Sequence, residues 1–312
     1  GTFTLVGDLK LPEGSSPFSV VVFVLGDGPN DRTGGGTYPP IMERMSKAGY
    51  ATLAWDKPGM GESTGQIDHS KVVRQRVQIV SDAIDLLKSF SAIDPEQIGL
   101  WGISQAGYVM PRLLSLRNDI AFMIAVSCPG MAGVDQGAYL VSAQAVCAGY
   151  PESEADQMKN LLSAIERVQT YEEYVVYKEL LDNLASIDSA SIFGYKRGVK
   201  PEDDWHLPNL QGDYFWNPIT VIQQTTIPVL AFFGGKDTQI DPIQAVQAYR
   251  EALDRAKNPN FQVEFIPGVD HNLILSETGC LEERENRTRS EWTNYAPAYL
   301  DTLEEWLVEL SR

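Results

Sequence analysis

The chain has 312 residues, of which 43% are hydrophobic and 21% charged, and a formal net charge of −17. That length fits one large α/β domain carrying an insertion better than two full domains, and the composition is that of a globular protein. The acidic balance argues against nucleic acid or an anionic membrane surface as partner, and no apolar run reaches the roughly 18 residues of a membrane span.

The expected location is the cytoplasm; the chain starts Gly1-Thr2-Phe3 without a methionine, which leaves a removed leader open. The three cysteines, Cys128, Cys147 and Cys280, have no metal-ligand spacing and are expected as reduced, structural thiols. Thr2 to Leu11 alternates loosely and predicts a first strand or hairpin. Phe18 to Leu25 is a continuous β-branched run, as in a strand buried on both faces. It runs into Gly26-Asp27-Gly28-Pro29-Asn30-Asp31-Arg32 and then Gly34-Gly35-Gly36. No Gly-Lys-Ser/Thr follows, so the triple glycine is a flexible turn rather than a phosphate loop. Pro40 to Gly49 predicts a helix closed by glycine, and Tyr50 to Trp55 a second buried strand. Val72 to Phe90 is a long amphipathic helix with Val73, Val77, Val80, Ile84 and Leu87 on one face.

Next comes Ile98-Gly99-Leu100-Trp101-Gly102-Ile103-Ser104-Gln105-Ala106-Gly107: an apolar run, a turn between small residues, and a helix start. A serine hydroxyl is a poor nucleophile unless a base takes its proton, and a sharp strand-to-helix turn holds it out for attack. The helix is expected over Gln105–Arg117 and contains Pro111, whose clash falls on Gly107 four residues back. Ala121 to Val126 is another buried strand. From about Gly130 to Gln224 no buried strand is legible; Gln136–Ala148, Glu152–Gln169 and Tyr171–Ala185 look helical and an aromatic segment follows. Ile227 to Phe233 resumes the sheet, Pro242–Lys257 is a helix, Phe261–Ile266 a last strand and Trp292–Leu310 a closing helix. Strands alternating with helices imply right-handed crossovers and a parallel sheet.

In an open α/β sheet, ligands gather at the carboxyl ends of the strands. Four features sit at such ends: Gly26-Asp27-Gly28, Ser104, Asp237 and His271. With Gly102-x-Ser104-x-Ala106-Gly107 close to the nucleophile elbow, and with the order serine, acid, histidine, the chain resembles an α/β-hydrolase. The turn Asp56-Lys57-Pro58-Gly59-Met60-Gly61-Glu62-Ser63 is similar to that superfamily's Asp-x-Arg-Gly-x-Gly-x-Ser turn. Within it the chain looks most like bacterial serine esterases and acyl hydrolases related to the prolyl-peptidase and dienelactone-hydrolase branches, which often carry a Gly-x-Gly-Pro-x-Asp-Arg loop, as at Gly26–Arg32 here.

The resemblance implies a mostly parallel central sheet flanked by helices, with the core at 1–130 and 225–312 and a helical cap, or lid, at 131–224. It implies a catalytic triad of Ser104, His271 and Asp237. Among the three histidines, His69 precedes a helix and His206 lies in the insertion, whereas His271 follows the last strand. Asp241 and Asp270 are the rivals of Asp237; Asp270 is too close to the ring to curl back onto it. The oxyanion hole would use the backbone N–H groups of Gln105 and of Asp27, with Gly28 as the alternative. The Asp27 carboxylate is unexpected there and is predicted to turn away, towards Arg32. Trp205, Tyr214, Phe215 and Trp216 are candidates for lining a substrate pocket under the cap, or for packing the cap to the core. The reaction implied is cleavage of a small-molecule ester through an acyl-enzyme, with no metal or organic cofactor required. Peptidase or amidase, thioesterase and lactonase activities share this machinery, and a hydrolase fold kept as a binding module is the non-catalytic reading. Oligomeric state and natural substrate are not legible.

Overall fold

Alternation along the β-branched run Phe18–Val24 sends Val20, Val22 and Val24 to one side of a sheet and Val21 and Phe23 to the other, and all five are buried. A strand of this kind needs helices on both faces. The computed structural model, which describes residues 4–184 and 196–312, supplies them. Thr2 and Phe3 of the expected first strand, and Ala185 of the third insertion helix, lie outside the described residues.

In chain order the elements are β1 (Gly7–Lys10), β2 (Phe18–Val24), α1 (Pro39–Lys47), β3 (Ala51–Trp55), α2 (Val72–Leu87), β4 (Ile93–Ile103), α3 (Ala106–Leu114), β5 (Met123–Val126), α4 (Gly133–Cys147), α5 (Glu152–Ile165), α6 (Tyr171–Asp182), α7 (Ile219–Ile222), β6 (Val229–Gly234), α8 (Pro242–Arg255), β7 (Phe261–Ile266), α9 (Leu281–Glu285) and α10 (Pro297–Leu310). The strands form one sheet in the order β1-β3-β2-β4-β5-β6-β7. Every pairing is parallel except that of β1 with β3. Helices α2, α3 and α8 cover one face, and α1 and α10 the other.

Of the boundaries that differ from the sequence expectation, two are set by local features. The closing helix begins at Pro297, where a proline at the first turn loses no hydrogen bond, and Trp292 falls in a short turn of 3₁₀ helix before it. Strand β4 starts at Ile93, ahead of the expected apolar run, and its pairing with β2 is irregular between Phe18 and Val20. The short helix α9 has no expected counterpart.

Within 131–224, α4 carries α5 and α6 on a small apolar cluster of Ala145, Ala155, Met158 and Leu181. Buried Asp213 ties this segment to the core through Arg74 at 2.8 Å and Arg112 at 3.5 Å. The cysteine expectation is corrected: Cys147 at the end of α4 is disulfide-bonded to Cys280, and Cys128 alone is free and buried. The fold brings their Cα atoms to 5.8 Å across a sequence separation of 133, a proximity no local spacing encodes.

Candidate active site

Ser104 sits where β4 ends and α3 begins, with φ of 59°. Positive φ is strained for a residue with a side chain, at a cost of about 1–3 kcal/mol, and persists only when the surroundings over-determine it. Here the Ser104 N–H donates to Val126 O at 3.0 Å, and the Gly107 N–H donates to Ser104 O at 2.8 Å. The neighbouring glycines are required by packing. A Cβ on Gly102 would lie 2.6 Å from Ala106 Cβ and 2.7 Å from Met110 Sδ. A Cβ on Gly107 would lie 2.7 Å from Cys128 Cβ and 2.6 Å from Pro129 Cδ. Gly107 therefore admits the loop after β5 as well as facing Pro111 inside the helix.

Across the sheet, His271 follows β7 and its Nδ1 lies 2.8 Å from Asp237 Oδ2; both residues are buried. The other oxygen of Asp237 accepts the N–H groups of Gln239 at 2.8 Å and Ile240 at 2.9 Å, which fixes the carboxylate. The rival acids are engaged elsewhere. Asp241 caps α8 by accepting from the Gln244 N–H at 3.0 Å. Asp270, fully buried, binds Arg287 at 2.6 Å and the N–H groups of Asn272 and Ile274.

The loop after β2 is gripped from behind by two cations. Arg76 donates to Leu25 O, and Lys57 donates to Gly26 O and, at 2.7 Å, to Gly28 O. In a trans peptide the C=O and the following N–H point oppositely. Binding the Gly26 carbonyl to Lys57 therefore turns the Asp27 N–H the other way, and that N–H has no partner among the described residues. Asp27 lines the cavity beside Ser104, whereas Gly28 does not. The Gln105 N–H is likewise unpartnered, at the start of α3, where the helix dipole favours negative charge. The Asp27 carboxylate does not turn to Arg32, contrary to expectation. It accepts from Gln105 Nε2 at 3.0 Å, while Arg32 serves Asp8, Asp56 and Glu62. Gln105 in turn accepts from Arg76, so a buried arginine and a glutamine hold that carboxylate sideways. Burial pushes Lys57 down to about 7, with Arg76 adding to the shift and Asp27 opposing it. Burial also lowers Arg76, to about 10. Neither cation was singled out from the sequence, yet Arg76 falls in register with Val73, Val77 and Val80, where a buried charge is conspicuous.

Ser104, His271 and Asp27 share one cavity of about 390 Å³, with Asn30, Asn272, Arg284, Trp292 and Tyr295 also in its walls. The four aromatic pocket candidates are not among its lining residues. Trp205 packs on Tyr171 and Tyr174, with ring centroids about 6 Å apart. Trp216 lies under Arg112 and Phe215 under Arg167. Tyr214 packs against Gly133 and is 44% exposed. The insertion meets the site through α4 instead: Tyr139 donates to Asp237 O at 3.0 Å, Gln136 to Gln239 O, and Gln144 to Thr238 Oγ1 at 2.9 Å.

Comparison with known proteins agrees with this architecture. The polyketide transferase claH of Penicillium crustosum is 33% identical over 30% of this chain and 30% of its own. The thiohydrolase aneE of Aspergillus aculeatus is 31% identical over 29% and 28%. The esterase EstD of Thermotoga maritima is 25% identical over 88% of this chain and 59% of its own, so the chain spans less than two thirds of these three relatives. Among solved structures, Est1E of Butyrivibrio proteoclasticus, bound to ferulic acid, superposes with TM-score 0.58 at 16% identity, covering 99% and 96% of the two chains. A monoacylglycerol lipase of Paleococcus ferrophilus gives 0.52 at 18% identity, covering 99% and 100%. At such identities these two share the fold. A model of the alpha/beta hydrolase family matches residues 21–279, a span that takes in most of the sheet and Ser104, Asp237 and His271, and the chain belongs to that family.

Proposed function

We propose that the protein is a serine hydrolase that cleaves a carboxylic ester through an acyl-enzyme on Ser104. The observation that carries this is the buried His271 Nδ1–Asp237 Oδ2 contact of 2.8 Å in the same cavity as a serine held at positive φ. In this reading His271 keeps its Nδ1 proton on Asp237 and takes the Ser104 hydroxyl proton at Nε2 as Oγ attacks the ester carbon. The Gln105 and Asp27 N–H groups receive the oxyanion. The intermediate collapses by breaking the bond to the leaving oxygen, which takes the proton from His271. A water then repeats the cycle against the acyl-enzyme and releases the acid. We read 131–224 as a cap whose helix α4 buttresses the acid loop. The Cys147–Cys280 disulfide favours an oxidising compartment over the cytoplasm expected from the sequence.

A thioester substrate is the second reading, favoured by the names of the two relatives above 30% identity, a polyketide transferase and a thiohydrolase. The test is labelling by a fluorophosphonate with the adduct located by mass spectrometry, followed by rates on p-nitrophenyl esters and matching thioesters. Ser104→Ala is expected to abolish labelling and lower kcat by about 10³-fold or more. A folded wild-type protein that takes no label on Ser104 overturns the reading and favours a binding module.

A further inference from the structure

Arg284, on α9, lines the cavity that holds Ser104 and His271, and no step of the proposed ester cleavage uses it. Its guanidinium is short of partners. Nε is buried without a hydrogen bond among the described residues, 3.6 Å from Asp270 Oδ2. Among the described residues Nη2 reaches only Asn272 Oδ1, at 3.5 Å. A guanidinium carries five N–H donors, so most of this fork is unspent.

The acids that face Arg284 do not complete it. Asp270 is taken by Arg287 at 2.6 Å and by two backbone N–H groups. Asp237 is taken by His271 and by two others. Glu285 is solvent-exposed, and Arg287 has the same sign. Two arginines thus converge on one buried carboxylate, and the one nearer the cavity is surplus. Burial lowers Arg284 from its ordinary value, with Asp270 and Asp237 opposing, and an arriving anion would relieve that cost. The opposite need is met at Asp27, whose carboxylate already accepts from Gln105 with Arg76 and Lys57 close by. Trp292, against which Arg284 lies at 5.6 Å, keeps the guanidinium plane in place and forms part of the cavity wall.

We propose that Arg284 recognises a carboxylate on the substrate, so that the site takes small monoanionic esters in which a free carboxylate accompanies the scissile ester. This deepens the ester-hydrolase reading and rests on it. The planar fork of arginine matches a carboxylate with two parallel hydrogen bonds. One surplus positive charge balances one negative charge, and the net charge of −17 disfavours polyanions. A cavity of about 390 Å³ suits a short molecule of this kind.

The experiment has a binding arm and a kinetic arm. Calorimetry compares glutaramate, the monoamide of glutaric acid with a single carboxylate, with the neutral diamide on wild type, Arg284→Gln and Arg284→Lys, with each variant's folding followed by circular dichroism. Glutaramate is expected to bind wild type at least tenfold more tightly than the diamide, to lose about tenfold or more in Arg284→Gln, and to recover part of that in Arg284→Lys. The kinetic arm measures kcat/KM for monoethyl glutarate against ethyl pentanoate, and for 4-acetoxybutanoate against butyl acetate. A preference of tenfold or more for the charged member of either pair, reduced in Arg284→Gln, supports the proposal. Equal binding of glutaramate and diamide together with no charge preference overturns it. Should Arg284→Gln fail to fold, the wild-type comparisons decide alone. Should wild type cleave none of the four esters, the ester-hydrolase reading falls, while the glutaramate titration still judges Arg284.

Discussion

Around Ser104 the cavity wall is made of backbone, whereas around His271 it is made of buried charge. On the serine side the determinants are a positive φ, close-packed glycines, and carbonyls of the β2 loop bound by Lys57 and Arg76. On the histidine side they are the Asp237–His271 contact and the Asp270–Arg287 pair, two carboxylates that face different partners. A wall of the first kind answers to shape and to the orientation of N–H groups. A wall of the second kind answers to charge, because a carboxylate stripped of its partner in the interior costs several kcal/mol.

The sharpest test of that contrast exchanges the two aspartates in turn. Asp237→Asn keeps an oxygen for Gln239 and Ile240 but no longer orients His271, and kcat is expected to fall by roughly 10³–10⁴-fold with little change in unfolding midpoint. Asp270→Asn leaves Arg287 without its buried counter-charge. Denaturant titration is expected to show a loss of about 3–5 kcal/mol, with kcat of the folded protein within about tenfold of wild type. If the two substitutions trade effects, Asp270 and not Asp237 serves the histidine.

A smaller effect is expected on the serine wall. Lys57→Met releases the Gly26 and Gly28 carbonyls and is expected to lower kcat by about 10- to 100-fold with KM little changed. With Lys57 at about 7, the ammonium that grips those carbonyls is present below that pH and lost above it. The charged groups facing it are Arg76, which promotes the loss, and Asp27, which resists it. Wild-type kcat should therefore decline as pH rises through about 7, and Lys57→Met should lack that decline. Stability runs the other way. The unfolded lysine holds its proton to 10.5 and the native one does not, so the unfolded chain binds more protons between about 7 and 10.5 and stability rises with pH across that window.

The smallest expected effect is in acid, at Glu283, the residue before Arg284 on α9. Burial raises the Glu283 carboxyl, but hydrogen bonds from the hydroxyls of Thr278 and Ser276 and from backbone N–H groups outweigh it and bring it down to about 2. Its folded value lies below the ordinary 4.5, so its contribution is present above 4.5 and is lost as pH falls towards about 2. Acid titration of Glu283→Gln, followed by fluorescence, should show a shallower loss of stability across that window than wild type.

The strands and main helices of the core were legible because burial on both faces forces β-branched runs such as Phe18–Val24, and burial on one face forces the spacing of Val73, Val77, Val80 and Ile84. Ser104, Asp237 and His271 stood out as polar residues at or a few positions beyond the ends of such runs, and the fold gathers Ser104 and His271 into one cavity with Asp237 bound to the histidine. What stayed hidden depends on contacts between distant segments. The Asp27 carboxylate meets Gln105 rather than Arg32, Cys147 meets Cys280, Trp205 packs on Tyr171 and Tyr174, and Trp216 lies under Arg112. Arg284 was invisible for a related reason: its significance is that Asp270 already has Arg287, a fact about three side chains at once.

The pairing of β5 with β6 sets Met123 beside Val229, with the whole insertion looped out between them. During synthesis, Ser104 and the β2 loop therefore emerge and can assemble into the first five strands while Asp237 and His271 have yet to be made. Chains of more than about 150 residues commonly fold through partly structured intermediates, and synthesis delivers the N-terminal strands first. Such a nascent sheet would carry its serine without a base. On the proposed mechanism the nucleophile is inert until the last two strands dock against β5, so reactivity arrives only with completion of the fold.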